Sequence, residues 1–301
     1  MIPPGLTVRA ARPGDVAGIA ELITAFDEAM GVEGGTSADD VRAYWTEVEH
    51  ERDTRLVETS DGRLVAYLEL STRGPAPFFD GYVHPEFMRQ GLGRELVRLG
   101  LELAAGRAER VRTGVLARDE AAVELLLSEG FRPVRSFYRM TVDLDSPPPE
   151  PVLPPGIVLR PFEAADGESF HAALEEAFLD HWEHDPEGFE DWRKRTLDAE
   201  DFDPALWLLA VDGDEVAAVL RGTAKRFGSG WINTLGVRRA WRRRGLAVAL
   251  LQAGFGEFWR RGDRRVQLAV DTESETGATR LYESVGMWIE WRADVYEKEI
   301  P

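Results

Sequence analysis

Five arginines fall within the seven positions Arg238–Arg244, and directly behind them the charge stops and an apolar run, Leu246–Phe255, begins. The stretch before them, "WINTLGV" (Trp231–Val237), alternates like a strand. Strand, arginine-rich turn and helix start together make an anion site. The first-turn N–H groups of a helix lack internal acceptors, and the helix dipole places partial positive charge there. Gly245 and the small Ala247 let a phosphate approach the backbone closely. Arg242, Arg243, Arg244, Gly245, Leu246, Ala247 and Val248 can therefore hold a pyrophosphate, with arginines left for a further phosphate. A solvated basic turn is the competing reading. A dinucleotide fingerprint is not supported: in "GLGREL" of the first half, Leu96 stands where a third glycine is required.

A second stretch with chemical content is "EEAFLDHWEHDPEGFEDW" (Glu175–Trp192), rich in carboxylates and aromatic rings. If it lines a cleft, Asp180 and Trp182, together with Trp231 of the strand, are the candidate acceptor residues and favour a cationic amine through charge and cation–π contact. If it faces water, it is an ordinary acidic helix face. His181 and His184 share a face at helical spacing, yet no third ligand stands near them, so no metal is expected.

The elements that position these residues repeat. "GLTVRAARPGD" from Gly5 and "GIVLRPFEAAD" from Gly156 align at an offset of 151. The same offset aligns Arg55–Leu70 with Leu206–Arg221, and in both an Asp-Gly pair separates two alternating apolar runs, a hairpin signal. Tyr82–Leu96 matches Gly236–Leu250 at 154, and Leu125–Phe131 matches Leu281–Met287 at 156. Matches in constant order with small drift indicate a duplicated domain. Between the copies lies "DSPPPEPVLPPG", whose six prolines predict an extended, stiff linker. Residues 1–145 and 156–301 are thus two domains joined by a Pro-rich linker, 146–155. Each reads as a strand, one or two amphipathic helices, a hairpin, a fourth strand, a long helix, a strand, a helix and final strands. That order predicts an α/β, or α+β mixed-sheet, fold: a mostly antiparallel sheet flanked by helices in each half.

With 301 residues and 44% hydrophobic content, each half can bury its own core. The absence of cysteine removes thiolate chemistry and disulfides and suits a reducing cytoplasm. "MIPPGLTVRA" lacks a charged start followed by an apolar run, so no signal peptide is expected, and no stretch is long and apolar enough to span a membrane. A net charge of -18 argues against general nucleic-acid binding, which gives the arginine cluster a local task. A cytoplasmic monomer or homodimer is expected.

"VRRAWRRRGLA" followed by "LYESVG" resembles the GNAT superfamily of N-acetyltransferases. Arg242, Gly245 and Ala247 fill the three positions of its acetyl-CoA signature, and the element order of both halves is similar to the family's. The two-domain form resembles the tandem group that includes mycothiol synthase. The resemblance implies acetyl-CoA as acyl donor and direct attack by the primary amine of a small molecule. It implies that fourth-strand amides around Leu235, Gly236 and Val237 hold the pantetheine arm and polarise the thioester. It implies Tyr282 as general acid to the departing thiolate. Two positions depart from the family pattern. Trp231 stands where many members carry a glutamate base, leaving the base unassigned. The family's asparagine before the tyrosine helix is absent, and Thr272 or Ser274 offers an alternative cap.

In the first half Met88 replaces the counterpart of Arg242, although Tyr82, Val83, Arg89, Gln90, Gly91, Leu92, Gly93 and Arg94 keep much of a second CoA site. Leu126 stands at the position of Tyr282. The first half is therefore expected to be catalytically degenerate and the second to be the enzyme. The rival from another class is a non-catalytic acyl-CoA-binding or sensing module, which Leu126 and Trp231 favour and Tyr282 opposes.

Overall fold

The computed structural model describes residues 2–45, 48–199, 202–274 and 277–300. In chain order the first part runs β1 (Leu6–Arg9), α1 (Val16–Ala29), α2 (Ala38–Trp45), α3 (His50–Asp53), β2 (Thr54–Thr59), β3 (Leu64–Ser71), β4 (Phe78–Val83), α4 (Leu92–Ala104), β5 (Arg110–Leu116), α5 (Glu120–Ser128) and β6 (Arg132–Asp143). The second runs β7 (Ile157–Pro161), α6 (Gly167–Phe178), α7 (Phe189–Thr196), β8 (Trp207–Asp212), β9 (Glu215–Arg226), β10 (Ser229–Val237), α8 (Leu246–Arg260), β11 (Arg265–Asp271), α9 (Ala278–Ser284) and β12 (Trp288–Glu299). The chain forms two compact units: Met1–Phe137 with Trp291–Pro301, and Tyr138–Glu290.

In the first unit β1, β2, β3 and β4 pair antiparallel in that order, and β4 pairs parallel with β5. The far side of β5 is completed by the chain's last strand, running antiparallel from Ala293 opposite Leu116 to Glu299 opposite Arg110. By sequence repeat this segment descends from the second half; by contacts it packs in the first unit. Its charges and apolar residues account for that. Glu297 is buried and meets Arg112 at 2.8 Å and Arg132 at 3.0 Å, while Tyr296 enters the core of Leu68, Phe79, Leu96 and Val111. A buried carboxylate separated from such partners would be strongly destabilising.

In the second unit β7, β8, β9 and β10 are antiparallel, and β10 is parallel to β11. The two predicted Asp-Gly hairpins are present, with Gly62 and Gly213 at positive φ (85° and 63°). The hydrophobic face of α8 covers one side of the sheet. The other side holds Phe162, Phe170, Trp192 and Trp207, which contact one another edge-on or stacked beneath α6 and α7. Both units are thus mixed α/β layers with a mostly antiparallel sheet, as the alternation of the sequence predicts.

Candidate active site

The arginine turn is built on backbone strain. A short 3-10 turn, Arg239–Trp241, leads into Arg243 at φ 61° and Gly245 at φ 86°, and α8 starts at Leu246. Left-handed residues at Arg243 and Gly245 bend the turn so that backbone N–H groups can face an anion. The Ala249 N–H donates to Gly245 O, which leaves the N–H groups of Leu246, Ala247 and Val248 without an intrahelical acceptor. A Cβ at Gly245 would meet nothing within 4 Å, so the approach to the backbone is open.

The five arginines divide by task. Arg238 donates to Glu176 at 2.6 Å and to Val216 O. Arg242 donates to Val237 O and Ala177 O, both at 3.1 Å, and so fastens the end of α6 to the end of β10. Arg239 pairs with Asp180. Arg244 stands 3.8 Å from Asp212. Arg243 is exposed and has no side-chain partner among the described residues. An incoming polyanion would therefore meet Arg243 first and Arg244 second, while Arg238 and Arg242 keep the turn in shape.

Next to the turn the sheet opens. The parallel ladder between β10 and β11 holds Gly230 with Val266 and Trp231 with Gln267, and both strands continue past it. β10 stays paired to β9 as far as Val237 opposite Ala218. The Arg238 N–H donates to Ala217 O on that side. Since successive residues of a strand point their N–H groups to opposite edges, those of Val237 and Leu235 aim into the opening toward β11. Gly236 has no room for a side chain, because its Cβ would lie 2.9 Å from that of Ala177 on α6.

Tyr282 lies on α9 with its ring in the core; burial pushes its hydroxyl up to about 12, so it holds its proton at neutral pH. The hydroxyl has no partner among the described residues. The N-cap position of α9, expected at Thr272 or Ser274, is held by Gly277 at φ 71°, since the helix begins at Ala278. Asp271 instead accepts from the Glu273 N–H and draws Thr272 and Ser274 into a turn ahead of the helix.

The family model for the acetyltransferase (GNAT) family matches residues 19–131 and again 167–287. The chain belongs to the GNAT family. It is 36% identical over 251 residues to the mycothiol acetyltransferase of Salinispora arenicola, covering 79% of each chain, and 35% identical over 239 residues to that of Thermobispora bispora, covering 76% of this chain and 77% of the relative. A GCN5-related N-acetyltransferase from Sphaerobacter thermophilus superposes with a TM-score of 0.88 at 40% identity, over 100% of this chain and 97% of that one. A tandem GNAT protein from the clavulanic acid biosynthesis pathway shares the fold, with a TM-score of 0.78 at 17% identity over 98% and 99%. As a GNAT protein the chain is an N-acetyltransferase, an enzyme rather than a sensing module, and GNAT enzymes use acetyl-CoA as donor. The open turn, the free first-turn N–H groups of α8 and the unpaired edge of β10 fit such a donor.

Other expected GNAT site residues lie as follows. The acidic stretch is not one helix. α6 ends at Phe178 and α7 begins at Phe189, so His181 and His184 do not share a helix face. His184 sits 3.1 Å from Glu175, while His181 lies tilted against Phe178 with centroids 4.1 Å apart. Pro186 and Gly188 between them disfavour continued helix. Asp180 is engaged by Arg239 and Arg242, which hold its carboxyl below the usual range. Trp182 is half-buried. Trp231 is buried on β10 with the Arg139 guanidinium 4.3 Å above its ring. Arg139 and its neighbours were not legible as site residues. They join a buried network in which Gln267 accepts from Ser229 at 2.9 Å and donates to Glu290 at 2.7 Å, and Thr141 donates to Glu290 at 2.8 Å. These groups come from strands far apart in sequence, and no local motif marks them.

The first unit repeats the backbone without the chemistry. Arg89 (φ 60°) and Gly91 (φ 89°) reproduce the two left-handed positions, and α4 starts at Leu92. The β4–β5 ladder likewise holds only Phe78 with Arg112 and Phe79 with Thr113 among the described residues. The His84 N–H donates to Val65 O, which aims Val83 into that opening. Gln90 and Arg89 are exposed, and Arg94 pairs with Glu129 at 2.8 Å. A Cβ at Gly93 would come within 3.3 Å of Leu125. Leu126 is a buried core residue and offers no proton. On the other face of this sheet Tyr82 meets Phe26 edge-on at 5.5 Å. Beside it Asp80 faces Glu69 across β3 and β4, with Asp80 pushed up to about 7 by burial and by the Glu69 charge.

Proposed function

We propose that the second unit transfers an acetyl group from acetyl-CoA to a primary amine of a small molecule by direct attack. The donor's pyrophosphate rests on Arg243, Arg244 and the N–H groups of Leu246–Val248, its pantetheine arm lies along Leu235–Val237, and Tyr282 protonates the departing thiolate. Ser274, on the turn before α9, belongs to the same donor site. The observation that carries this reading is the conjunction, in one unit, of a left-handed anion turn, a strand edge with inward N–H groups and a tyrosine holding an unpartnered proton. The first unit has the first two and a leucine in place of the third, so it is the degenerate copy, able at most to bind CoA.

Release of free thiol from acetyl-CoA across a panel of primary amines tests the function; amines of the kind implied by the relatives' name belong in it. Tyr282→Phe keeps the ring and its packing, so acetyl-CoA affinity should hold while the single-turnover rate falls about 10²-fold or more. An unchanged chemical step would remove Tyr282 from the mechanism.

A further inference from the structure

Trp231 leaves the proton on the attacking nitrogen without an acceptor, and the structure offers one elsewhere. We propose that His181 is the general base of the transfer, a role that rests on the N-acetyltransferase reading above. Its position follows from a chain of contacts. The Phe178 ring lies against Gly236 on β10, 3.5 Å from where a Cβ would stand. His181 lies tilted against that ring, centroids 4.1 Å apart, just beyond the end of α6. Arg242 bonds Ala177 O and Val237 O, which fixes this end of α6 to the end of β10. Arg242, after β10, and Asp271, the last residue of β11, both act on the charge of the imidazole, one from each strand beside the opening.

The chemistry suits a neutral imidazole. The residue is exposed, yet packing on one side desolvates the ring and lowers its proton affinity; His184 and Arg242 act in the same direction, while Asp271 and Asp180 oppose them. The balance favours a free nitrogen lone pair at neutral pH. In the reaction the amine lone pair forms the new C–N bond and the C–S bond breaks with its electrons on sulfur. The nitrogen proton passes to His181 and the Tyr282 proton to sulfur. Solvent then removes the proton from the imidazolium and restores the one on the phenol, leaving amide and free thiol. His184 is instead held by Glu175.

The test is the kcat–pH profile of wild type, His181→Gln and His181→Ala with the best amine of the panel, alongside calorimetric acetyl-CoA affinity. His181→Gln should lose about 10²-fold or more in kcat. It should also lose the acid limb, which in wild type lies below the ordinary histidine value, while acetyl-CoA affinity stays unchanged. Added imidazole should restore part of the rate to His181→Ala. A His181→Gln enzyme with wild-type kcat and acid limb overturns the assignment. So does one whose rate falls only in step with lost acetyl-CoA affinity, because His181 would then be a structural prop. A wild type that acetylates no amine of the panel overturns the underlying function as well.

Discussion

Arg243 is a charged residue with no side-chain partner among the described residues, kept at φ 61°. A left-handed conformation costs an L-residue ~1–2 kcal/mol. Arg243→Gly removes that cost; the greater freedom of glycine in the unfolded chain offsets ~0.5–1 kcal/mol of the gain. The variant should therefore be more stable than wild type by ~0.5–1 kcal/mol. Arg243→Ala keeps the strained backbone and should leave stability within ~0.5 kcal/mol. Both lose a guanidinium facing the proposed phosphate position. A charge-assisted hydrogen bond contributes ~1.5–3 kcal/mol, and the exposed site puts the loss at the lower end, about tenfold in Kd. Denaturant melts and calorimetric titration with acetyl-CoA read the two effects separately. The paired outcome is distinctive: one substitution stabilises the fold and weakens the ligand, and the residual binding becomes less sensitive to salt. If Arg243→Gly melts at lower denaturant than wild type, the strain argument fails. If both variants bind acetyl-CoA as wild type does, the turn is not the phosphate site.

Two further outcomes follow from the comparison of the units. Gly91→Glu and Gly245→Glu impose the same left-handed strain on equivalent helix starts, so their difference in steady-state turnover isolates the ligand effect: Gly245→Glu should abolish activity and Gly91→Glu should retain most of it. Equal losses would make the units equal partners. In the first unit Asp80 is pushed up to about 7, above its unfolded value, so its contribution to stability is present below the usual carboxylate range and is lost as pH rises through neutrality. Thermal melts between pH 5.5 and 8 should show wild type weakening relative to Asp80→Asn by ~1–2 kcal/mol, allowing for solvent screening at this half-open position; parallel curves would place the Asp80 titration elsewhere.

The duplication, the hairpins and the arginine turn were legible because each is a local pattern: Asp-Gly between alternating runs, or a glycine at a helix start. The division of labour among the arginines was not. Arg238, Arg239 and Arg242 look identical in sequence to Arg243, and what distinguishes them is Glu176 and Ala177 at the end of α6 and Asp180 just past it, about 60 residues upstream. The strand that completes the first unit was hidden for a similar reason. Its alternation predicts a strand, but its place is decided by Glu297 meeting Arg112 and Arg132 from the first half of the chain.

The same reasoning bears on Trp231. Read alone, an indole in place of a carboxylate argues for a dead enzyme. In the fold, Arg139 covers that indole, and the Gln267 network seals the ground around it, so the position is a packed floor rather than a vacant base. A carboxylate there would meet the Arg139 guanidinium and be held ionised, a poor proton acceptor in a site already supplied with positive charge. Moving the base to His181 places it just past the end of α6, beside Phe178. The base then comes from the loop between α6 and α7 rather than from the donor strand, so substitutions in that loop can retune acceptor choice and proton transfer together while β10 continues to serve the donor.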